Sequence, residues 1–531
     1  MNTTNPTGSG RRLPRSETTP DRPNVVLIVM DTARARDVLG RPDVTPNLHR
    51  IAENGEVVTN VFTTGPWTLP SHASMFTGQY TSDHGTHAGS KTFDPDVPPI
   101  AEVLADEGYQ TAAFSNNSWV SSDVGFDRGF ETFRSGWELF ESDVDLIRVA
   151  KRRDGAIDKL RGLGAELSLR ELPPTVANVL HAKLIRHRYD DGAWLTNRRI
   201  ERWLDRTQDA TRPFFAFVNY LEPHLEYRPP RGHRSRFLPE DADFDDASRV
   251  NQDAWAYIAG VESMTERDFA LLHALYLGEL HYLDRRIGAL YDTLEKRALL
   301  DDTVVFVVGD HGENLGDHGL MDHQYSLHDT LTHVPLVCHT PEGIDVPPAG
   351  AGLRELRDLY PTILDLAGVD HPADPSITQQ SLLDPRDRDY VIGEYVTPQP
   401  DVETLAERVD AVEVDLDQFD SGLRSIRTPG WKLVERTDGS EALYSVGRPA
   451  AVVDDSTTDA ETAVGSYSNA KTAVDSRSEQ APAGLAARLR DRLHDEHGEM
   501  AGTGERSGED TEEEADVGAA TQQRLEDLGY I

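Results

Sequence analysis

The chain has 531 residues, with 53 Lys and Arg against 92 Asp and Glu, and a formal charge of −39. Phosphate contacts require a basic patch, so this balance excludes nucleic acid as a partner. Only seven of the basic residues are Lys, an acidic, lysine-poor composition that suits solubility in high salt, and a single Cys excludes an internal disulfide framework.

In chain order, residues 1–22 are polar and rich in Pro, Ser and Thr. Despite Arg11-Arg12 they lack the apolar stretch of a secretory signal, and they read as a disordered tail. No later segment approaches the ~20 apolar residues that span a bilayer, so no transmembrane segment and a cytoplasmic location are expected. Asn24-Val25-Val26-Leu27-Ile28-Val29-Met30 is a continuous apolar run typical of a buried parallel strand, and it ends on Asp31. Arg34 follows, suited either to neutralising an anion or to pairing with a surface carboxylate. Trp67-Thr68-Leu69-Pro70-Ser71-His72 places a hydroxyl just before a Pro-Ser turn that can open a helix, whose free N–H groups favour an oxyanion. An ordinary capped loop carries the same signature. His72, and His84 in Asp83-His84-Gly85, read either as pocket-lining residues or as hydrogen-bonded histidines without a chemical role.

Ile100 to Gly108 predicts a short helix and Thr111-Ala112-Ala113-Phe114-Ser115 the next strand. Charged helical material from Ser135 to Arg206 reads as an insertion over the active-site edge that either selects substrates or decorates the sheet. Phe214 to Tyr220 is a further strand, followed by Glu222-Pro223-His224. From Phe269 to Leu300, Leu272, Leu275, Leu280, Leu283, Ile287 and Leu290 fall at helical spacing and predict a long amphipathic helix with a core-facing stripe. Thr303 to Gly309 repeats the buried-strand pattern and ends on Asp310-His311-Gly312-Glu313, and His323 follows the Gly-rich turn after it. Ligands of open α/β sheets gather at the carboxyl ends of strands, so Asp31, Asp310 and His311 can converge on one divalent cation that activates the Thr68 hydroxyl. Taken singly, a strand-end Asp is as well read as a helix N-cap, and an Asp-His pair as a loop hydrogen bond. Cys338, in the apolar run from Val334, reads as a buried strand residue.

After about residue 385 the pattern changes to short strand-like pieces at Tyr390–Tyr395, Gly422–Arg427, Trp431–Val434 and Glu441–Tyr444. The expected fold class is therefore α/β, a largely parallel sheet flanked by helices, with a small C-terminal antiparallel-sheet subdomain. The division expected is a catalytic domain over 23–385, the small sheet over 386–450, a flexible acidic segment over 451–480 and a helical and flexible tail over 481–531, with a helix from Gly484 to His497.

Taken together, Pro23 to Thr32, Thr45-Pro46-Asn47-Leu48, Thr68 to Ala73 with Thr77-Gly78, Gly125-Phe126-Asp127-Arg128-Gly129-Phe130, Glu222-Pro223-His224, Asp310 to Glu313, Val334-Pro335-Leu336 and Leu528-Gly529-Tyr530 resemble, in order, the sulfatase family of the alkaline phosphatase superfamily. Two departures matter. Family members that use formylglycine make it from Cys or Ser two residues before the Pro, with an Arg two residues after it; here those positions hold Thr68 and His72. Thr68 resembles instead the Thr nucleophile of phosphodiesterases and phosphoglycerol transferases in the superfamily. Many sulfatases also carry adjacent Asp residues after the first strand, where this chain has Asp31-Thr32.

The resemblance implies an alkaline-phosphatase-like fold, a metal set of Asp31, Thr68, Asp310 and His311, and His224 and His323 touching the transferred group or protonating the leaving oxygen. His318, His328 and His333 lie near enough in sequence to take the place of His323. With one carboxylate missing, manganese or zinc is favoured, with calcium or magnesium as the alternatives. Substrate contact is assigned to His72, Arg34 and His84. The expected activity is hydrolysis of a sulfuric or phosphoric ester of a small molecule, sugar or lipid; the alternatives are transfer of the group to another hydroxyl and a non-catalytic metal-binding role. The oligomeric state is open at this stage.

Overall fold

A computed structural model describes residues 22–136, 190–344, 346, 352–372, 380–386, 388–409, 416–446 and 481–500. The expectations for residues 1–21, for most of the insertion (137–189) and for 451–480 lie outside the described residues. Ten strands precede residue 356: β1 (Asn24–Met30), β2 (Gly55–Phe62), β3 (Gln110–Ser115), β4 (Thr132–Ser135), β5 (Phe214–Tyr220), β6 (Thr303–Gly309), β7 (Asn314–Leu315), β8 (Met321–Asp322), β9 (His333–His339) and β10 (Arg354–Glu355).

Eight of them form one sheet in the order β10-β2-β9-β6-β1-β5-β3-β4. All neighbours run parallel except β9, which lies antiparallel to both β2 and β6. The sheet is thus mixed but mostly parallel, flanked by helices, as expected. The middle strands β1, β5 and β6 are almost wholly buried, which is why each is apolar without alternation. Cys338 is buried in β9.

Five helices matter for the site and its support: α1 (Thr68–Thr77), α2 (Ile100–Asp106), α3 (Ala193–Arg206), α4 (Glu266–Lys296) and α5 (Leu485–His497). The stripe predicted on α4 is buried throughout. The helix begins three residues earlier than the apolar spacing indicates, because Thr265 and Asp268 form a reciprocal capping box ahead of the first core residue. Asp284 on α4 accepts from the backbone N–H of Asn47 and Leu48, and Gly288 lets that segment approach closely: a Cβ there would lie 2.4 Å from Asn47 Oδ1.

The C-terminal strands β11 (Val391–Tyr395), β12 (Leu423–Arg427), β13 (Trp431–Arg436) and β14 (Glu441–Ser445) form the expected antiparallel sheet. Leu489 and Leu493 of α5 cover Ile392, Ile426 and Leu433. This sheet is tied to the main body where Ile392 N–H donates to Glu355 Oε1 and Glu394 N–H to the Thr64 carbonyl. Among the described residues, no helix is long and apolar enough to cross a membrane.

The Gly125–Phe130 turn shows why its residue types are what they are. Phe126 stacks flat on Phe93 with ring centres 4.2 Å apart, and Arg128 pairs with Glu102 of α2. Gly129 has φ +85°, and a Cβ there would lie 2.1 Å from the backbone nitrogen of Glu102. Gly129→Ala therefore combines left-handed strain with a backbone overlap and is expected to lower the unfolding free energy by about 2 kcal/mol or more, measured by urea denaturation. A loss below about 0.5 kcal/mol, the size of an ordinary surface substitution, would show that this turn does not need its glycine.

Candidate active site

Strand register assembles the site. Met30 lies opposite Gly309 of β6 and Tyr220 of β5, while Asn219 of β5 lies opposite Ser115 of β3. The residues that follow these positions, Asp310, Asp31, Asn116 and Asn117, and the turn to His224, therefore leave the sheet along one edge. Thr68 reaches the same edge as the first residue of α1. The helix opens two residues ahead of Pro70, with Trp67 as N-cap. Proline is accommodated there because first-turn N–H groups have no intrahelical partner. Ser71 Oγ donates to the Asp310 carbonyl at 2.7 Å and Thr63 Oγ1 to Ser71 Oγ at 2.9 Å, pinning α1 to the end of β6.

Four ligand-type atoms converge, all on fully buried side chains. His311 Nδ1 donates to the Gly312 carbonyl at 2.9 Å, leaving Nε2 as acceptor. That nitrogen lies 3.4 Å from Thr68 Oγ1, 3.6 Å from Asp31 Oδ1 and 3.5 Å from Asp310 Oδ2. Asp310 Oδ1 accepts from the N–H groups of Thr32 and His311, and Asp31 Oδ2 accepts from Asn117 Nδ2 at 2.5 Å. The other oxygens, Asp31 Oδ1 and Asp310 Oδ2, have no hydrogen-bond partner. Orphaned buried carboxylate oxygens beside an imidazole lone pair and a hydroxyl fit a divalent cation. Electrostatics agree. Burial raises both carboxyls, Asp310 to about 7, and the Asp310 charge raises Asp31 further, while burial holds His311 well below the usual imidazole range. The cluster lacks positive charge, and its imidazole is neutral and ready to ligate.

A second group, buried Glu313 and His323 with half-buried Asp322, adjoins the first, with the His323 ring 4.5 Å from the His311 ring. Burial works against a charged His323. The Asp322 carboxylate at 2.6 Å and Glu313 at 3.5 Å outweigh it and hold the imidazole well above its usual range, as an imidazolium. Tyr227 donates to Glu313 Oε2 at 3.1 Å, and the His224 ring lies 5.3 Å from that of His323.

The structure thus brings Asp31, Thr68, Asp310, His311, His323 and His224 to one edge. The three residues expected at the substrate are placed differently. His72 is fully buried beneath Thr68, with Nδ1 donating to the Thr68 carbonyl at 2.9 Å and Nε2 against Asn219 Nδ2 at 3.0 Å. Arg34 is buried in a fork with Asp317 at 3.0 and 3.2 Å and is flanked by Asp37, so its charge is matched within the protein. Both His84 nitrogens are engaged, Nδ1 by the Thr86 N–H and Nε2 by Ser74 Oγ.

Asn117 went unrecognised in the sequence. Its amide reaches both Asp31 and Thr68 Oγ1 (3.3 Å), and its Oδ1 accepts from the Trp119 N–H, which fixes the amide's orientation. The strand-end argument applied to Asp31 would have found it, since Ser115 closes a predicted strand.

The sequence profile of the family described as Sulfatase matches residues 23–369. The chain is 23% identical to arylsulfatase K of Bos taurus over 82% of its own length and 78% of that protein's. To choline-sulfatase of Rhizobium meliloti it is 25% identical, over 66% and 69%. Among solved structures, the phosphonate monoester hydrolase of Agrobacterium radiobacter superposes with a TM-score of 0.56 at 21% identity, covering 80% of this chain and 89% of that one.

Buried His84 works against stability in acid. Burial, then the neighbouring His87, lowers His84 from 6.5 to about 3. Between those values the unfolded chain holds a proton that the folded chain excludes, so stability falls as pH falls from about 6.5 towards 3. One excess proton corresponds to a slope of about 1.4 kcal/mol per pH unit. Urea denaturation at pH 6 and pH 5 is expected to show His84→Gln losing about 1 kcal/mol less than wild type across that step. Equal losses would mean that His84 does not exclude the proton.

Proposed function

Because this chain belongs to the sulfatase family of ester hydrolases, we propose that it is a metal-dependent hydrolase cleaving a sulfuric or phosphoric ester with Thr68 as nucleophile. The observation that carries this reading is the Thr68 hydroxyl 3.4 Å from His311 Nε2, beside two carboxylate oxygens with no other partner. Asp31, Asp310, His311 and Thr68 would hold the cation, of which manganese or zinc best suits a set containing an imidazole. When bound, it supplies charge that favours the Thr68 alkoxide and offsets charge on the transferred oxyanion.

The chain's own groups account for the rest. Asn117 donates to Thr68 Oγ1 and orients it. Thr68 gives its proton up to solvent as its oxygen bonds to sulfur or phosphorus, the bond to the alcohol oxygen breaks, and His323 gives that oxygen the proton held against Asp322. His224, its ring 5.3 Å from that of His323, would contact the transferred group. Water then attacks sulfur or phosphorus and takes the group from Thr68; one of its protons restores the hydroxyl and the other returns to His323. A Thr ester cannot collapse to an aldehyde, so its release depends on that attack. Phosphoryl transfer relies mainly on positioning and charge, which this site provides. In this reading the alcohol released is a sugar, a lipid or another small molecule.

Phosphate mono- or diesters are therefore expected to turn over faster than the matching sulfates, in assays run at high salt with several divalent metals. Thr68→Ala is expected to fold and lose turnover, because one small hydroxyl contributes little to packing. Preferred sulfate esters would overturn the phosphate assignment, and undiminished turnover by Thr68→Ala would overturn the nucleophile.

A chelator is expected to abolish turnover and lower the melting temperature. Metal held at a hundredfold above its Kd stabilises the native state by about 2.7 kcal/mol. Asp310→Asn should lose most bound metal by elemental analysis. Full activity in metal-free protein would sink the metal assignment.

A further inference from the structure

The turn that carries His224 is held at each end by a buried glutamate. Glu222, at its start, accepts from the N–H groups of Asp191 and Ala193 at 3.2 and 3.3 Å and so ties the turn to the start of α3. Arg228, at its end, donates its N–H to Glu279 of α4 at 2.8 Å. Gly278 beside Glu279 lets the chain lie against that helix, where a Cβ would stand 3.0 Å from Pro229 Cγ. Between these anchors His224 Nδ1 donates to the Leu225 carbonyl at 2.5 Å, so the orientation of the ring follows the backbone of the turn.

Neither anchor meets a cation. Glu222 is 1% exposed and Glu279 2%, and Oε2 of each has no hydrogen-bond partner. Among the described residues, the other buried carboxylate oxygens in that condition are on Asp31, Asp310 and Glu313 of the reaction centre, and on Asp37, which faces Arg34 and Arg36. Among the same residues, no Lys, Arg or His pairs with Glu222 or Glu279. The groups that face the pair add negative charge, since Asp190 and Asp191, ahead of α3, act on both. Tyr220 of β5 and Tyr282 of α4 are pushed up by burial and by Glu222 and stay neutral, and Arg286 of α4 acts on these tyrosines without pairing with either glutamate. Burial, then Asp190 and Asp191, pushes the Glu222 carboxyl up to about 8, and burial, then Asp191 and Glu222, pushes Glu279 up as well. Two like charges buried without a counter-ion repel, so the pair keeps a proton at neutral pH and gives it up in alkali.

We propose that Glu222 and Glu279 are positioning residues for His224: they hold its turn against α3 and α4 while one of them carries a proton, and release it when both are ionised. The proposal rests on the reading of His224 as a contact of the transferred group and adds what places it there. The proton is exchanged with solvent, and neither glutamate takes part in bond breaking.

The kinetic test follows kcat on bis(p-nitrophenyl) phosphate against pH, using the metal-loaded full chain. The p-nitrophenolate anion leaves without a proton, so deprotonation of His323 does not enter the profile. Wild type is expected to lose about tenfold in kcat between pH 7 and pH 9, one unit past the Glu222 value. Glu279→Gln keeps an acceptor for the Arg228 N–H and never adds a second charge, so it is expected to match wild type at pH 7 and to hold that rate at pH 9. Glu279→Ala lacks the acceptor and is expected to be slower than wild type at pH 7, with a melting curve verifying the fold of each variant. A flat wild-type profile, the same alkaline loss in Glu279→Gln, or wild-type turnover by Glu279→Ala overturns the proposal.

Hydrogen exchange separates this proposal from the reading it rests on, because it needs no turnover. After correction for the intrinsic rate at each pH, the peptide spanning Leu221 to Pro229 is expected to lose about tenfold in protection between pH 7 and pH 9 in wild type and none in Glu279→Gln. Unchanged protection in wild type overturns the clamp whatever the chain hydrolyses, and absence of turnover of any ester by wild type overturns the role of His224 without touching this comparison. Elemental analysis is expected to give the same divalent ion content for wild type and Glu279→Gln. An ion lost in Glu279→Gln would put a cation where the proton is assigned and overturn the proposal as well.

Discussion

Asp31 and Asp310 end neighbouring parallel strands with Met30 opposite Gly309, so two carboxylates enter the same buried space, their ligand atoms within 4.8 Å of each other and of His311. At that separation like charges repel by roughly 3.5 kcal/mol at an effective dielectric constant of 20, before the cost of removing either from water. The fold does not relieve this with a lysine or arginine. It places there a neutral imidazole, a threonine hydroxyl and an asparagine amide, and satisfies the outer oxygens with backbone N–H groups and Asn117. The donor set that results suits a divalent cation.

The neighbouring cluster solves the opposite problem. His323 is charged because Asp322 and Glu313 flank it, and the loop that carries it is fixed from the C-terminal sheet. Arg427 of β12 and Lys432 of β13 both bind Asp329, at 2.9 and 2.8 Å, and Lys432 also donates to the Leu327 carbonyl. The small sheet is therefore a support for the active-site edge as well as an appendage. Backbone strain gathers on the same edge, with Thr32 at φ 57° and Asp322 at φ 72°, each next to a residue of the site. Around this centre, buried arginines such as Arg34 and Arg357 are matched by carboxylates.

Much of this was legible along the chain wherever one local rule decides the outcome. Unbroken apolar runs ending on Asp31 and Asp310 announce central parallel strands, because a strand buried on both faces has no polar alternation to show. The Leu and Ile spacing on α4 announces its buried face for the same reason. Asn117 was equally accessible by that rule, but an amide carries no ligand signature that draws attention to it. The start of α1 at Thr68 was less visible, because proline is tolerated anywhere in a first turn.

Arg34, His72 and His84 mark the limit of such reading. A lone charged or imidazole side chain near a motif is equally compatible with a ligand and with an internal partner, and those partners, Asp317, Asn219 and Ser74, are named by packing alone. The pairing of the arginines is undecidable in sequence for the same reason, since 92 acidic residues offer a partner to every cation until the fold distributes them. The sequence by itself determined the family, the sheet's central strands and the identity of the nucleophile candidate and its carboxylate and imidazole neighbours at the strand ends, all of which depend on residues adjacent in the chain. Only the tertiary structure decided which histidine is neutral, which is charged and which carboxylate each buried arginine meets, because those depend on burial and on charges brought near from distant segments.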